Sequence, residues 1–203
     1  MSVGAAMATT LEIPIFPLGT VLFPGGRLPL RIFEPRYVDM TKACLRDGTP
    51  FGVALIRGGY EVGRPAIPYE TGCTAHIVEW QVPSPGLFSL VTQGQTRFRL
   101  RERRTQDDGL IIGTVELIEP PDPTPLPREQ AWLGELLRKL IAELGGEHFP
   151  APQRLDDAAW VGYRFAELLP ITPERQQLLL ELDQAQAVLA GIERMLADLR
   201  SAD

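Results

Sequence analysis

The residue types that carry most enzyme chemistry are sparse in this chain, and their spacing does not serve it. His76 and His148 have no ligand or triad spacing around them. Cys44 and Cys73 lie far apart with no nearby His or further Cys, which is neither a metal pattern nor a disulfide framework. Buried, reduced thiols are the simpler reading. Asp107-Asp108 and Asp156-Asp157 suit a turn and a helix cap better than a carboxylate dyad. The stretch Gly58 to Pro65 has the outer glycine spacing of a P-loop, but Arg64 and Pro65 stand where that motif needs a phosphate-bridging Lys and a Mg²⁺-binding hydroxyl. There is no G-x-S-x-G elbow, and neither Lys42 nor Lys139 has a serine beside it. The expectation is a protein without catalytic residues, metal or cofactor.

Binding chemistry is easier to find. Arg97, Arg99, Arg101 and Arg103 alternate with Phe98 and Leu100, so on a strand the four guanidinium groups project from one face. Such a face is either solvated and balanced by Glu116 and Glu119 on a neighbouring strand, or a surface for anions or RNA. The net charge of −6 and pI near 5.1 weigh against nucleic acid, as does the lack of aromatic residues interleaved beyond Phe98. Glu34 and Arg36 flank Pro35. They suit a cap and an ion pair that pins a helix, with Arg97 as a further partner, or else direct ligand contact. Phe16, Leu18, Phe23, Phe33, Tyr37 and Met40 supply more apolar mass than one strand-rich corner needs. Most belong in a core, and the remainder can form an exposed apolar patch of the kind that takes unfolded polypeptide.

The elements that must position these groups follow from the pattern of turns. The 203 residues, 44% hydrophobic and 23% charged, allow one large domain or two small ones. Ile13 to Phe33 reads as three short strands broken by Pro and Gly, with Pro14, Pro17, Pro24 and Pro29 at edges, bends or bulges. Pro35 opens a helix that Gly48 closes. Strands follow at Phe51 to Ile56, Thr71 to Val82, Leu87 to Gln93, Thr96 to Thr105 and Leu110 to Ile118. Five prolines among Glu119 to Pro127 mark a boundary, after which the apolar period becomes helical. One helix carries Trp132, Leu133, Leu136, Leu137, Leu140, Ile141 and Leu144 on one face and stops at Gly145-Gly146. A second starts near Asp156 or Asp157, and a third at Thr172-Pro173-Glu174 continues helical to Leu199, with Gly191 as its weak point. The expected fold is α+β: a partly open β-barrel with one early helix over residues 1–120, then a helical bundle over 121–203. The amino terminus lacks a basic region, and no apolar run approaches the ~18 residues of a membrane span, so a soluble, cytoplasmic chain is expected.

The stretch PLGTVLFPGGRLPLRIFEPRY resembles the signature of the Lon N-terminal domain family, the substrate-recognition module of the Lon ATP-dependent proteases. Thr71-Gly72-Cys73 to Ile77, Gly94 to Phe98, and Leu169-Pro170 to Leu180 fit the same family pattern in the same order. The resemblance implies a PUA-like barrel and a domain that helps recognise damaged or unfolded proteins. It therefore implies a polypeptide or a partner in proteolysis as ligand, with Phe16, Leu18, Phe23, Phe33, Glu34, Arg36, Tyr37 and Met40 as candidate contacts. The kinship of this barrel to PUA-type RNA-binding modules gives the Arg97–Arg103 face its footing as the alternative. The chain ends at Asp203 without the nucleotide site or Ser–Lys pair of a working Lon protease, so a stand-alone, non-catalytic domain is expected.

Overall fold

The computed structural model describes residues 9–61, 66–120, 122–146 and 149–201. The amino-terminal segment, the 62–65 part of the P-loop-like stretch and His148 lie outside them.

β1 (Thr10–Leu18) pairs antiparallel with β7 (Ile111–Leu117) through residues 10–15, and parallel with β3 (Phe51–Gly58) through residues 15–18. Only Ile15 is flanked on both sides. Pro14 and Pro17 fall just before and just after it, each with one side free of a strand, so their missing N–H groups cost no ladder bond. β2 (Arg27–Ile32) pairs only with β6 (Leu87–Thr105), which makes it the edge that Pro29 needs. The path β1-β7-β6-β5-β3 returns to β1, with β5 spanning Thr71–Ser84. The two-residue β4 (Ile67–Pro68) hangs from β3. The result is a small barrel whose open edges are β2, β4 and the far half of β5.

Two expectations about the strands need correction. Ile13 to Phe33 holds two strands, not three: Val21, Leu22 and Phe23 run unpaired between the two cores, Leu22 packing into the barrel and Val21 and Phe23 into the helical core. Leu87 to Thr105 is one strand, not two. Gly94 marks a change of partner, from β2 along 88–93 to β7 along 98–105. There its N–H and C=O bond to Gly26 O and Gly25 N, at 2.9 and 2.8 Å. A Cβ on Gly94 would stand 2.2 Å from the Phe23 carbonyl oxygen, so only glycine permits this approach.

α1 (Pro35–Asp47) starts on its proline and ends at Gly48, whose φ of 65° is the left-handed cap. It lays Tyr37, Met40 and Cys44 over one mouth of the barrel, against Phe16, Phe51 and Leu90. After the prolines come α2 (Ala131–Leu144), α3 (Ala158–Leu168), α4 (Pro173–Glu181) and α5 (Ala185–Ser201). Asp157 caps α3 through Ala159 and Trp160, and Thr172 caps α4 through Arg175 N. On α2, Leu133, Leu137 and Ile141 are buried, whereas Trp132 and Leu144, expected on the same face, lie exposed. The last helical stretch breaks at Leu182–Gln184 and not at Gly191. Gly191 sits inside α5, where a Cβ would meet the Leu179 side chain at 2.8 Å. The helices share one core with three buried residues of the β part, Val21, Phe23 and Leu55, and with the partly buried Tyr69.

Candidate polypeptide-binding site

Five of the eight residues proposed from sequence converge. Phe16, Leu18, Phe33, Glu34 and Tyr37, with Leu30 and Glu61, line a groove of about 170 Å³ at the start of α1. Phe16 and Tyr37 stack at 4.0 Å between ring centroids and form its floor. Phe33, 57% exposed, stands at its rim. Two carboxylates complete the wall: Glu61, bonded to Gly19 N, and Glu34. Burial pushes the Tyr37 hydroxyl up from its ordinary pKa; Arg36 opposes this, while Glu34 and Glu61 add to it. The groove is therefore apolar at its base, while its lip is of mixed charge: Glu61 and the exposed Arg31 stand beside Glu34, which Arg36 already pairs. Its shape suits an aliphatic or aromatic side chain.

The other three proposed residues support this groove or lie elsewhere. Arg36 is buried, pairs with Glu34 at 2.8 Å, lies 4.7 Å from the Tyr37 ring centroid and donates to Gly109 O at 3.2 Å. Arg36 thus ties the helix start to the β6–β7 turn through Gly109. Glu34 occupies the N-cap position, but its carboxylate makes no cap bond, because Arg36 engages it instead. Met40 is 2% exposed beneath α1. Phe23 is wholly buried on the far side of the barrel, 5.4 Å from the Tyr163 ring, where no ligand reaches it.

The arginine row does not form one face. Arg97 is 2% exposed and points at the end of α4, donating to Leu180 O at 2.8 Å, Leu182 O at 2.7 Å and Asp183 Oδ1 at 3.2 Å. It satisfies carbonyls at the end of α4, and its bonds lie there and not at Glu34. A register shift between Leu100 and Glu102 then breaks the alternation, so Arg99 and Arg103 no longer share a side. Arg101 pairs with Glu116, the acid expected to balance the row, and Arg104 pairs with Glu12. The single four-arginine face is lost: Arg101 and Arg103 share a hollow whose other charged residues are Arg57, Glu70 and Glu102, where the acids offset part of the guanidinium charge.

Sequence reading missed two features. A cavity of about 350 Å³ lies at the seam between barrel and helices, walled by Pro24, Gln95, Arg97, Pro120, Trp160 and Tyr163 among others. Its charged groups are already engaged: Arg97 as above, and Asp157 in capping α3 and pairing with Arg154. The seam is also closed by Gln177 Nε2 on Thr71 O at 3.0 Å and by the wholly buried Arg164, which donates to Pro24 O and Glu167, both at 2.9 Å. Desolvation pushes the Glu167 carboxyl up to about 7 despite Arg164 beside it. Burial likewise pushes the Cys73 thiol up to about 12, so it is inert at neutral pH. The second feature is the hairpin arm of β5 and β6, where Val78, Trp80 and Val82 are each about half exposed. Their alternation in VEWQV was the available signal.

Comparison with known proteins follows from this architecture. Residues 12–198 match the family described as ATP-dependent protease La (LON) substrate-binding domain. The crystal structure of a Lon N-terminal domain protein from Xanthomonas campestris superposes with a TM-score of 0.76 at 35% identity, covering 92% of this chain and 98% of that one. Lon protease 2 of Herpetosiphon aurantiacus is 28% identical over 94% of this chain, which spans 24% of that protein. Protein cereblon of Xenopus tropicalis is 28% identical over 64% of this chain and 29% of its own length. Among the described residues no helix is long and apolar enough to cross a membrane.

Proposed function

The chain belongs to the ATP-dependent protease La (LON) substrate-binding domain family, and on that premise we propose that it is a non-catalytic module that binds unfolded polypeptide, or a protein partner in proteolysis, in the cytoplasm. Family membership supports a role in substrate recognition. The groove of Phe16, Leu18, Phe33 and Tyr37 carries the finer reading. There, among the described residues, side chains of the PLGTVLFPGGRLPLRIFEPRY stretch meet as an open apolar surface. An aromatic or aliphatic side chain of an extended segment enters it. We read residues 1–120 as the binding half and 121–203 as its helical support.

The test is fluorescence anisotropy with two labelled ligands, a reduced and carboxymethylated polypeptide and a short single-stranded RNA. Polypeptide binding should change little with salt, and Phe33→Ser should weaken it about tenfold, the equivalent of one apolar side chain leaving its contact. Phe33 is exposed, so this variant keeps its fold. Binding of RNA alone, falling steeply with salt, would overturn the proposal.

A further inference from the structure

β5 is fourteen residues long, but β3 covers only its first half, pairing with Cys73, Thr74 and Ala75. Beyond Ala75 no strand of the described residues lies on that side, and every residue from Val78 to Ser84 is exposed. β6 and β2 continue on the other side, so the arm is a three-stranded sheet ending in a bare edge. Every second residue of such an edge turns its N–H and C=O outward, and another extended backbone satisfies those groups in the same geometry as a native neighbour strand.

The side chains on this edge match that occupant. Glu79, Trp80 and Gln81 keep regular register with Val91, Leu90 and Ser89, so Trp80 lies on the same side as Leu90, whose side chain faces the core. Its ring is 6.3 Å from that of Phe88. Trp80 thus extends the inner apolar face out to the edge, where a guest strand would lay alternate side chains beside it. Glu79 is the only charge between Ile77 and Phe88, and Arg27 of β2 already pairs with it. Natural edges are often blunted with lysine or inward-pointing charge; this one has Pro83 at its tip and a register shift on either side of Glu79 to Gln81, which leaves those three residues as the regular run with Val78 and Val82 flanking it. A second copy of the chain is the weaker candidate, since two molecules of net charge −6 repel on close approach.

We propose that the free edge of β5, residues 78–82, captures an extended segment of unfolded polypeptide by strand addition, with Trp80 as the apolar anchor. Main-chain pairing is indifferent to sequence, which suits recognition of many unfolded chains. The inference rests on the polypeptide reading above and adds a second contact to it, on a different face from the Phe33 groove.

Amide hydrogen exchange, resolved by residue with and without the carboxymethylated polypeptide, tests it directly. At saturation, exchange across 77–84 should slow about tenfold or more, as for amides entering a ladder. Trp80→Lys together with Val82→Lys should weaken binding about tenfold. If the polypeptide binds wild-type protein and these amides exchange unchanged, strand addition falls while the polypeptide reading stands. If no polypeptide binds at all, both fall. If the same amides become protected in the protein alone as its concentration rises, the edge belongs to a second copy and the proposal is overturned.

Discussion

Arg97 and Trp80 are both carried on the β5–β6 hairpin, and the molecule treats them in opposite ways. Arg97 is a charged side chain, yet it is 2% exposed and gives hydrogen bonds to three oxygens at the end of α4. Trp80 is a large apolar side chain, yet it is 54% exposed. Composition would assign these burials the other way round. The difference is that the root of the hairpin meets the helical half, and its tip meets nothing among the described residues. At the seam, burying a charge is tolerated because helix-end carbonyls need donors there. At the tip, and at the Phe33 groove, apolar surface stays open, which is the state expected of a surface kept for a partner. The seam therefore holds the stability and the open surfaces hold the proposed binding.

That division can be broken most forcefully at Arg97. Arg97→Leu strips donors from the Leu180 and Leu182 carbonyls and should cost about 3 kcal/mol in urea unfolding. A loss below about 1 kcal/mol would mean that the helical half is not fastened here. Gly94→Ala forces a Cβ against the Phe23 carbonyl and should cost about 2 kcal/mol in the same assay.

The Glu167 carboxyl gives a pH signature of the seam. Its folded pKa of about 7 lies above its ordinary value of 4.5, so folding favours the protonated form. The stability it contributes is complete below about pH 4.5 and is lost as pH rises through 7. With its side chain 27% exposed to solvent, the effect should be about 2 kcal/mol, read as the difference between wild type and Glu167→Gln across that window. A difference that does not change with pH would remove the carboxyl from the seam's energetics. The smallest effects belong to the open surfaces: Phe33→Ser and Trp80→Lys should each shift unfolding by less than about 0.5 kcal/mol while weakening polypeptide binding. A large stability loss from either would erase the contrast, because that residue would then be part of the structure's support.

Much of this was legible beforehand for local reasons. The Pro35 start and Gly48 stop of α1, the Asp157 and Thr172 caps, and the half-edge prolines of β1 each follow from one residue's backbone chemistry. The groove was half legible. The stretch from Phe16 to Met40 held its lining, but which side chains faced out depended on the turn that sends Phe23 to the opposite side of the barrel. The arginine row misled because alternation predicts a shared face only while the register is unbroken, and the shift after Leu100 leaves no mark in sequence.

By itself, the sequence determined the family, the β-then-helix order, the lack of recognisable catalytic motifs and most element ends, because caps, prolines and hydrophobic period act over a few residues. Only the tertiary structure decided that Gly94 joins two expected strands into one, that Arg97 is buried against the end of α4, and that Trp80 stays in the open. Each of these depends on what residues far away in the chain bring alongside: the Phe23 carbonyl, the Leu180 and Leu182 carbonyls, and, for Trp80, a β3 that pairs no further along β5 than Ala75.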